Sequence, residues 1–118
     1  MNKVHFDIYS ILQPIQDCCE KYDVNKLYVF GSATTPNYCK ANSDLDILIQ
    51  IDDSKIRNLI RIKTELQKIA EINIDLFKAD WIKTEEMLNY LIKYKVLIYD
   101  KENTVTNIAY HEHSSQCR

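Results

Sequence analysis

Apolar residues recur along this chain with two different spacings, and each spacing predicts a different kind of element. Spacings of three and four residues, as in Ile8, Leu12 and Ile15, are typical of one helix face. Short apolar runs, such as the KLYVF segment that ends before Gly31, are typical of buried strands. In chain order the pattern predicts helices at about 8–22, 55–71 and 81–93, and strands at 26–30, 44–51, 73–77 and 95–99.

Several residues indicate where these elements begin and end. Pro14 has no backbone N–H, so it either kinks the first helix or lies in the first turn of a shorter one. Asp80 precedes the third predicted helix and can cap it. Residues 32–43 lack apolar periodicity and predict a loop. We therefore expect one domain over residues 1–99, followed by a polar, flexible tail over 100–118.

The composition is that of an ordinary globular domain and excludes several classes of protein. The chain has 118 residues, of which 46% are hydrophobic and 27% charged, so disorder of the whole chain is excluded. A net charge of −2 argues against a nucleic-acid partner bound by bulk electrostatics. The single glycine excludes phosphate-binding loops that need several glycines.

The sequence also predicts the compartment. No apolar run is long enough to span a membrane, and the first residues lack the apolar core of a signal peptide. We therefore expect a cytoplasmic protein without a membrane partner. In that compartment we expect the four cysteines to be free thiols.

Three carboxylates lie in predicted strands, where aspartate is depleted. Asp44 and Asp46 alternate along one strand, so they share a face about 7 Å apart. Asp75 lies within another apolar run, and if the two strands are neighbours, all three charges converge. A divalent cation such as Mg²⁺ would neutralise them, because hard cations prefer oxygen ligands. Each aspartate taken singly is better explained as a strand-end or solvent-facing residue; the three together favour a metal site.

The only glycine follows directly after a predicted strand and is itself followed by serine. Gly31 allows the backbone to turn tightly and to approach a ligand closely. Backbone N–H groups and the Ser32 hydroxyl can then bind phosphate oxygens. If the next strand returns beside 26–30, Gly31 and Ser32 lie at the same end of the sheet as Asp44 and Asp46.

Together these motifs resemble the nucleotidyltransferase superfamily typified by DNA polymerase β, and in particular its minimal nucleotidyltransferase (MNT) family. The resemblance lies in Phe30-Gly31-Ser32, then Asp44-Leu45-Asp46-Ile47 after eleven residues, and later Asp75 between apolar residues. It implies an α+β fold with a small mixed β-sheet that has helices packed on one face. Many minimal members carry arginines directly after Gly-Ser, whereas this chain has ATTP at 33–36.

The resemblance also implies a role for each of these residues. Gly31 and Ser32 would bind the β- and γ-phosphates of a nucleoside triphosphate. Asp44 and Asp46 would bind two Mg²⁺ ions, and Asp75 would bind one of them and help to activate the attacking hydroxyl. The implied reaction transfers a nucleoside monophosphate to a hydroxyl and releases pyrophosphate.

The family resemblance finally implies a protein partner. Minimal nucleotidyltransferases often act with a HEPN-domain toxin, so this chain is expected to be an antitoxin that transfers AMP from ATP to a tyrosine of that toxin. One alternative is a non-catalytic subunit of the same fold that neutralises the partner by occlusion. Another is transfer to a small-molecule alcohol, which the short chain disfavours because such enzymes have an extra domain for the acceptor.

Overall fold

The fold is built from four strands and three helices. The computed structural model describes residues 8–31 and 44–102. The helices are α1 (Leu12–Lys21), α2 (Leu59–Ala70) and α3 (Glu85–Tyr94), and the strands are β1 (Lys26–Phe30), β2 (Leu45–Gln50), β3 (Ile74–Lys78) and β4 (Val96–Asp100). Short 3-10 helices occupy Tyr9–Ile11, Asp53–Asn58 and Ala79–Trp81.

The strands form one mixed sheet in the order β3-β2-β1-β4. β1 pairs antiparallel with both β2 and β4, whereas β2 and β3 run parallel. The parallel pair is possible because α2 returns the chain to the starting edge between these strands. The register aligns Phe30 with Asp46 and Asp46 with Asp75. Therefore the predicted return of the second strand beside the first is confirmed.

The main hydrophobic core lies between one face of the sheet and the helices α1 and α2. Alternate residues of β1 and β2, including Leu27, Val29 and Ile47, point into it. The helices contribute their apolar stripes, with Ile15 and Ile62 almost fully buried. Cys18 and Cys19 are buried here as free thiols, as expected.

The opposite face of the sheet carries a smaller core and the third helix. Tyr28, Phe30 and Leu48 alternate with the main-core residues and pack against Leu91 of α3. The α+β class and the small mixed sheet are confirmed. The expectation that the helices share one face holds for α1 and α2 but is wrong for α3, because its apolar stripe covers the second face.

The predicted strand bounds agree with the structure to within about one residue, whereas each of the three helices begins about four residues later than predicted. The strand at 26–30 is confirmed, and Pro14 lies in the first turn of α1. α3 begins at Glu85 rather than near 81, because the Thr84 side chain accepts a hydrogen bond from the Met87 N–H and caps it. Asp80 instead lies in a 3-10 helix. The predicted loop at 32–43 and the tail beyond 102 lie outside the described residues.

Across residues 8–31 and 44–102, no helix is both long and apolar enough to cross a bilayer.

Candidate active site

Asp46 is positioned by the pairing of β1 with β2. It lies opposite Phe30, the residue directly before Gly31. Gly31 has a φ of +76°, and a Cβ at this position would collide with the Asp46 carboxylate. Glycine is therefore required here both for its backbone conformation and for the close approach of Asp46.

The parallel pairing of β2 with β3 brings the second carboxylate to the same place. Asp46 and Asp75 are aligned in register and lie on the sheet face that carries α3. Asp46 is half-buried, whereas Asp75 and Asp44 are exposed. In its protonated form the Asp46 carboxyl shares a hydrogen bond with Asp75.

Electrostatics at this site oppose the ionised form of Asp46. Burial, together with the smaller effect of the negative charges of Asp75 and Asp44, raises the pKa of Asp46 to about 6. Lys78, three residues after Asp75 on β3, instead pairs its ammonium group with Asp53 and Asp80. The site thus gathers negative charge without a neutralising side chain among its described neighbours.

The carboxylate oxygens of Asp46 and Asp75 are suitable ligands for a hard divalent cation. Carboxylate oxygens are preferred ligands of Mg²⁺, and a cation between Asp46 and Asp75 would remove the repulsion that raises the Asp46 pKa. Within the part of the chain that the structure describes, no group of three or more His, Cys, Asp or Glu side chains is arranged to hold a metal ion. The structure therefore supplies a carboxylate pair, with Asp44 nearby as a further charge.

A cavity of about 540 Å³ adjoins Asp46. Gly31 and Asp46 form one side of it, and the remaining wall is formed by the sheet and by α3, through Phe30, Phe77, Thr84, Glu86, Met87 and Tyr90. Phe30 contacts Phe77 edge-on with ring centroids 5.5 Å apart, and Tyr90 at 6.5 Å. The cavity therefore combines an aromatic cluster of three rings with two carboxylates, those of Asp46 and Glu86.

The residues predicted from the sequence account for the polar end of this site. Gly31, Asp46 and Asp75 are brought together, and Asp44 lies two residues before Asp46 at the entry of β2. Ser32 lies outside the described residues. The aromatic wall was not predicted, although Phe77 shares a strand face with Asp75 and this alternation could have indicated it.

Comparison with known proteins defines the family. The sequence model of the polymerase β nucleotidyltransferase family matches residues 13–104. The chain therefore belongs to this family. No match was found among curated proteins.

Solved structures with the same fold include minimal nucleotidyltransferases and antitoxins. One, described as a minimal nucleotidyltransferase, has a TM-score of 0.64 at 16% identity, over 75% of this chain and 90% of that chain. A toxin–antitoxin structure with AMP-PNP has a TM-score of 0.58 at 15% identity, over 87% and 84% of the two chains. The MntA–HepT toxin–antitoxin structure has a TM-score of 0.53 at 14% identity, over 89% and 83%. At these identities the likeness shows the fold.

Proposed function

We propose that this chain is an MNT-type antitoxin that transfers AMP from ATP to a tyrosine hydroxyl of a HEPN-type toxin. The observation that carries the proposal is the alignment of Asp46 with Asp75 beside a glycine whose missing Cβ makes room for the Asp46 carboxylate. Membership of the nucleotidyltransferase family supports the reaction class. The toxin–antitoxin neighbours, one of them with AMP-PNP, support the nucleotide and the kind of partner.

The residues of this site have distinct tasks in the proposed reaction. Gly31 and Ser32 hold the β- and γ-phosphates through backbone N–H groups and the serine hydroxyl. Mg²⁺ bound by Asp44, Asp46 and Asp75 would offset the negative charge that develops on the phosphate oxygens. Asp75, the exposed member of the aligned pair, accepts the proton of the attacking hydroxyl.

The bond changes balance without a further reactant. The tyrosine oxygen forms a bond to the α-phosphorus of ATP, and the bond from that phosphorus to the bridging oxygen breaks. Pyrophosphate leaves with the electrons of the broken bond. The phenol proton passes to the Asp75 carboxylate, and the product is an AMP-tyrosine phosphodiester.

A second candidate function is neutralisation of the partner by occlusion, without transfer. It is favoured by the ATTP segment at 33–36, which has no arginine to contact a triphosphate. It is also consistent with the carboxylate pair, rather than a closed metal cluster, in the described part of the chain. This alternative predicts that a variant without the Asp46 carboxylate still binds and neutralises its partner.

A transfer assay distinguishes the two functions. The protein is incubated with α-labelled ATP, Mg²⁺ and lysate of the source cell, beside Asp46→Asn and Asp75→Asn. Asp17→Asn is the matched control, because it removes an exposed aspartate that lies on α1 and accepts a hydrogen bond from Gln13. We expect one labelled protein band with the wild type and with Asp17→Asn, and at least a 100-fold loss with either site variant.

The label would then be located by mass spectrometry. Label on a residue other than tyrosine contradicts the proposed acceptor. Equal labelling by the wild type and Asp46→Asn contradicts the proposed mechanism. Absence of label from folded protein that still captures its partner supports neutralisation by occlusion instead.

A further inference from the structure

Three aromatic side chains line the cavity and have no role in the proposed transfer reaction. Phe77 is 38% exposed and Tyr90 37% exposed, although both lie against Phe30. Two large rings that remain this exposed beside a cavity can pack against a third planar ring. Stacking of a base on an aromatic side chain stabilises binding with little dependence on which base is bound.

The position of the cavity favours the nucleotide over the acceptor. Gly31 and Asp46 line it, and these residues belong to the proposed phosphate and metal side of the site. Asp75, which is proposed to activate the acceptor, lies outside the cavity wall. A ring that extends from the bound phosphates through a ribose therefore reaches this cavity, whereas the acceptor hydroxyl approaches from the Asp75 side.

The rim of the cavity supplies hydrogen-bond acceptors. Glu86 lines it from the first turn of α3, and its ionised carboxylate can only accept hydrogen bonds. Such a rim favours a base edge that carries an amino group, as in adenine, over the uracil edge, which offers a carbonyl oxygen at the corresponding position.

We propose that this cavity binds the nucleobase of the triphosphate, stacked against Phe77 and Tyr90, with Glu86 selecting an amino-bearing base. The proposal rests on the proposed nucleotide site and adds the residues that bind and select the base. It assigns α3 a role in nucleotide recognition, in addition to its contribution to the second core.

Direct titration of the full chain tests this assignment. ATP, UTP and inorganic tripolyphosphate, each with Mg²⁺, are titrated into the wild type, Tyr90→Leu, Phe77→Leu and Glu86→Gln. Tyr90→Phe keeps the ring and is the conservative comparison for Tyr90→Leu. Trp81→Leu removes an exposed aromatic residue that does not line the cavity.

Tripolyphosphate separates ring binding from phosphate binding, because it has no base. We expect Tyr90→Leu and Phe77→Leu each to weaken ATP binding roughly tenfold, while tripolyphosphate binding stays within about twofold of the wild type. Trp81→Leu should bind ATP as the wild type does, and Tyr90→Phe should bind ATP more tightly than Tyr90→Leu because it keeps the ring. The wild type should bind ATP about tenfold more tightly than UTP, and Glu86→Gln should reduce that ratio.

Three other outcomes of the titration would contradict the proposed base-binding site, each for a different reason. Unchanged ATP binding by both leucine variants means that the base lies elsewhere. If the leucine variants bind ATP and tripolyphosphate with equally reduced affinity, the two rings support the fold of the site and do not contact the base. If the wild type binds neither ATP nor tripolyphosphate, the proposed nucleotide site itself fails, and that outcome differs from failure of the base cavity alone.

Discussion

At the scale of single residues, the site depends on close approach and on repulsion between like charges. Gly31 leaves room for the Asp46 carboxylate, and Asp46 is half-buried beside the charges of Asp75 and Asp44. The burial of the Asp46 charge and its repulsion by Asp75 and Asp44 destabilise the protein without a ligand. Locally unfavourable interactions of this kind are expected at functional sites, where binding of a ligand offsets the destabilisation.

Replacement of Asp46 by asparagine should stabilise the protein in the absence of metal. The variant keeps the size of the side chain but removes the half-buried charge and its repulsion from Asp75. We expect a gain of about 1 kcal/mol at pH 8, after allowance for screening by solvent.

The stabilisation by Asp46→Asn should increase as the pH rises. The pKa of Asp46 is raised to about 6 in the folded protein, so the native state binds more protons than the unfolded state between about pH 4 and pH 6. Wild-type stability therefore falls as the pH rises through that range, and the gain from Asp46→Asn should vanish near pH 4. Urea unfolding at pH 4 and pH 8 measures this, and an equal gain at both values would contradict it.

Gly31→Ala should impair both folding and function. Alanine in the left-handed conformation costs about 1–2 kcal/mol, and its Cβ would displace the Asp46 carboxylate. We expect a lower unfolding midpoint and at least a tenfold loss of transfer. In a double-mutant cycle on stability, Asp46→Ala should reduce the destabilisation caused by Gly31→Ala, because it removes the carboxylate oxygen with which the new Cβ collides. If the effects of the two substitutions on the free energy of unfolding are strictly additive, this collision does not occur.

At the scale of elements, α3 differs from α1 and α2 in how it is held. Leu91 is its one buried residue, and it packs into the small second core. The main core lies on the other face of the sheet. The element bounds were predicted well where local signals are strong, as for β1, but the start of α3 depends on which of two capping residues, Asp80 or Thr84, meets a free N–H.

The neighbouring residues Leu91 and Ile92 offer a matched test of this attachment. Leu91 is 4% exposed and Ile92 73% exposed. We expect Leu91→Ala to cost about 2–3 kcal/mol and to release α3 from the sheet, whereas Ile92→Ala should change stability by less than about 0.5 kcal/mol.

Amide hydrogen exchange shows which elements lose stability in Leu91→Ala. In Leu91→Ala, amides of α3 should exchange faster while those of β1 and β2 keep their protection, because the main core is intact. Uniform acceleration across the sheet would show instead that the two cores unfold as one unit.

At the scale of the whole molecule, Asp23 connects three distant parts of the chain. It lies in the turn between α1 and β1 with a φ of 59°, and its carboxylate pairs with Lys55 and with Lys101, which follows β4. Hydrogen bonds from Lys101 and Lys55 lower the pKa of Asp23 to about 2. One carboxylate therefore links the first turn, the segment after β2 and the end of the sheet.

Asp23→Asn should lower stability at neutral pH but not in strong acid. A lowered pKa adds stability that is present above about pH 4 and is lost as the pH falls through about 2. Asparagine also tolerates positive φ, so the substitution isolates the charge. Thermal unfolding at pH 7 and pH 2 should show a lower midpoint for the variant only at pH 7, and an equal deficit at both values would assign the effect to the backbone.

The sequence by itself determined the strands, the order of elements and the polar end of the site. Apolar runs require burial, and aspartates within strands are rare enough to indicate function, so Asp46 and Asp75 could be identified from local pattern. Only the tertiary structure decided that these two residues align, that α3 covers the second face and that Phe77 and Tyr90 line a cavity beside Asp46. Strand pairing and helix placement depend on contacts between residues far apart in the chain, and local periodicity carries no information about which distant faces meet.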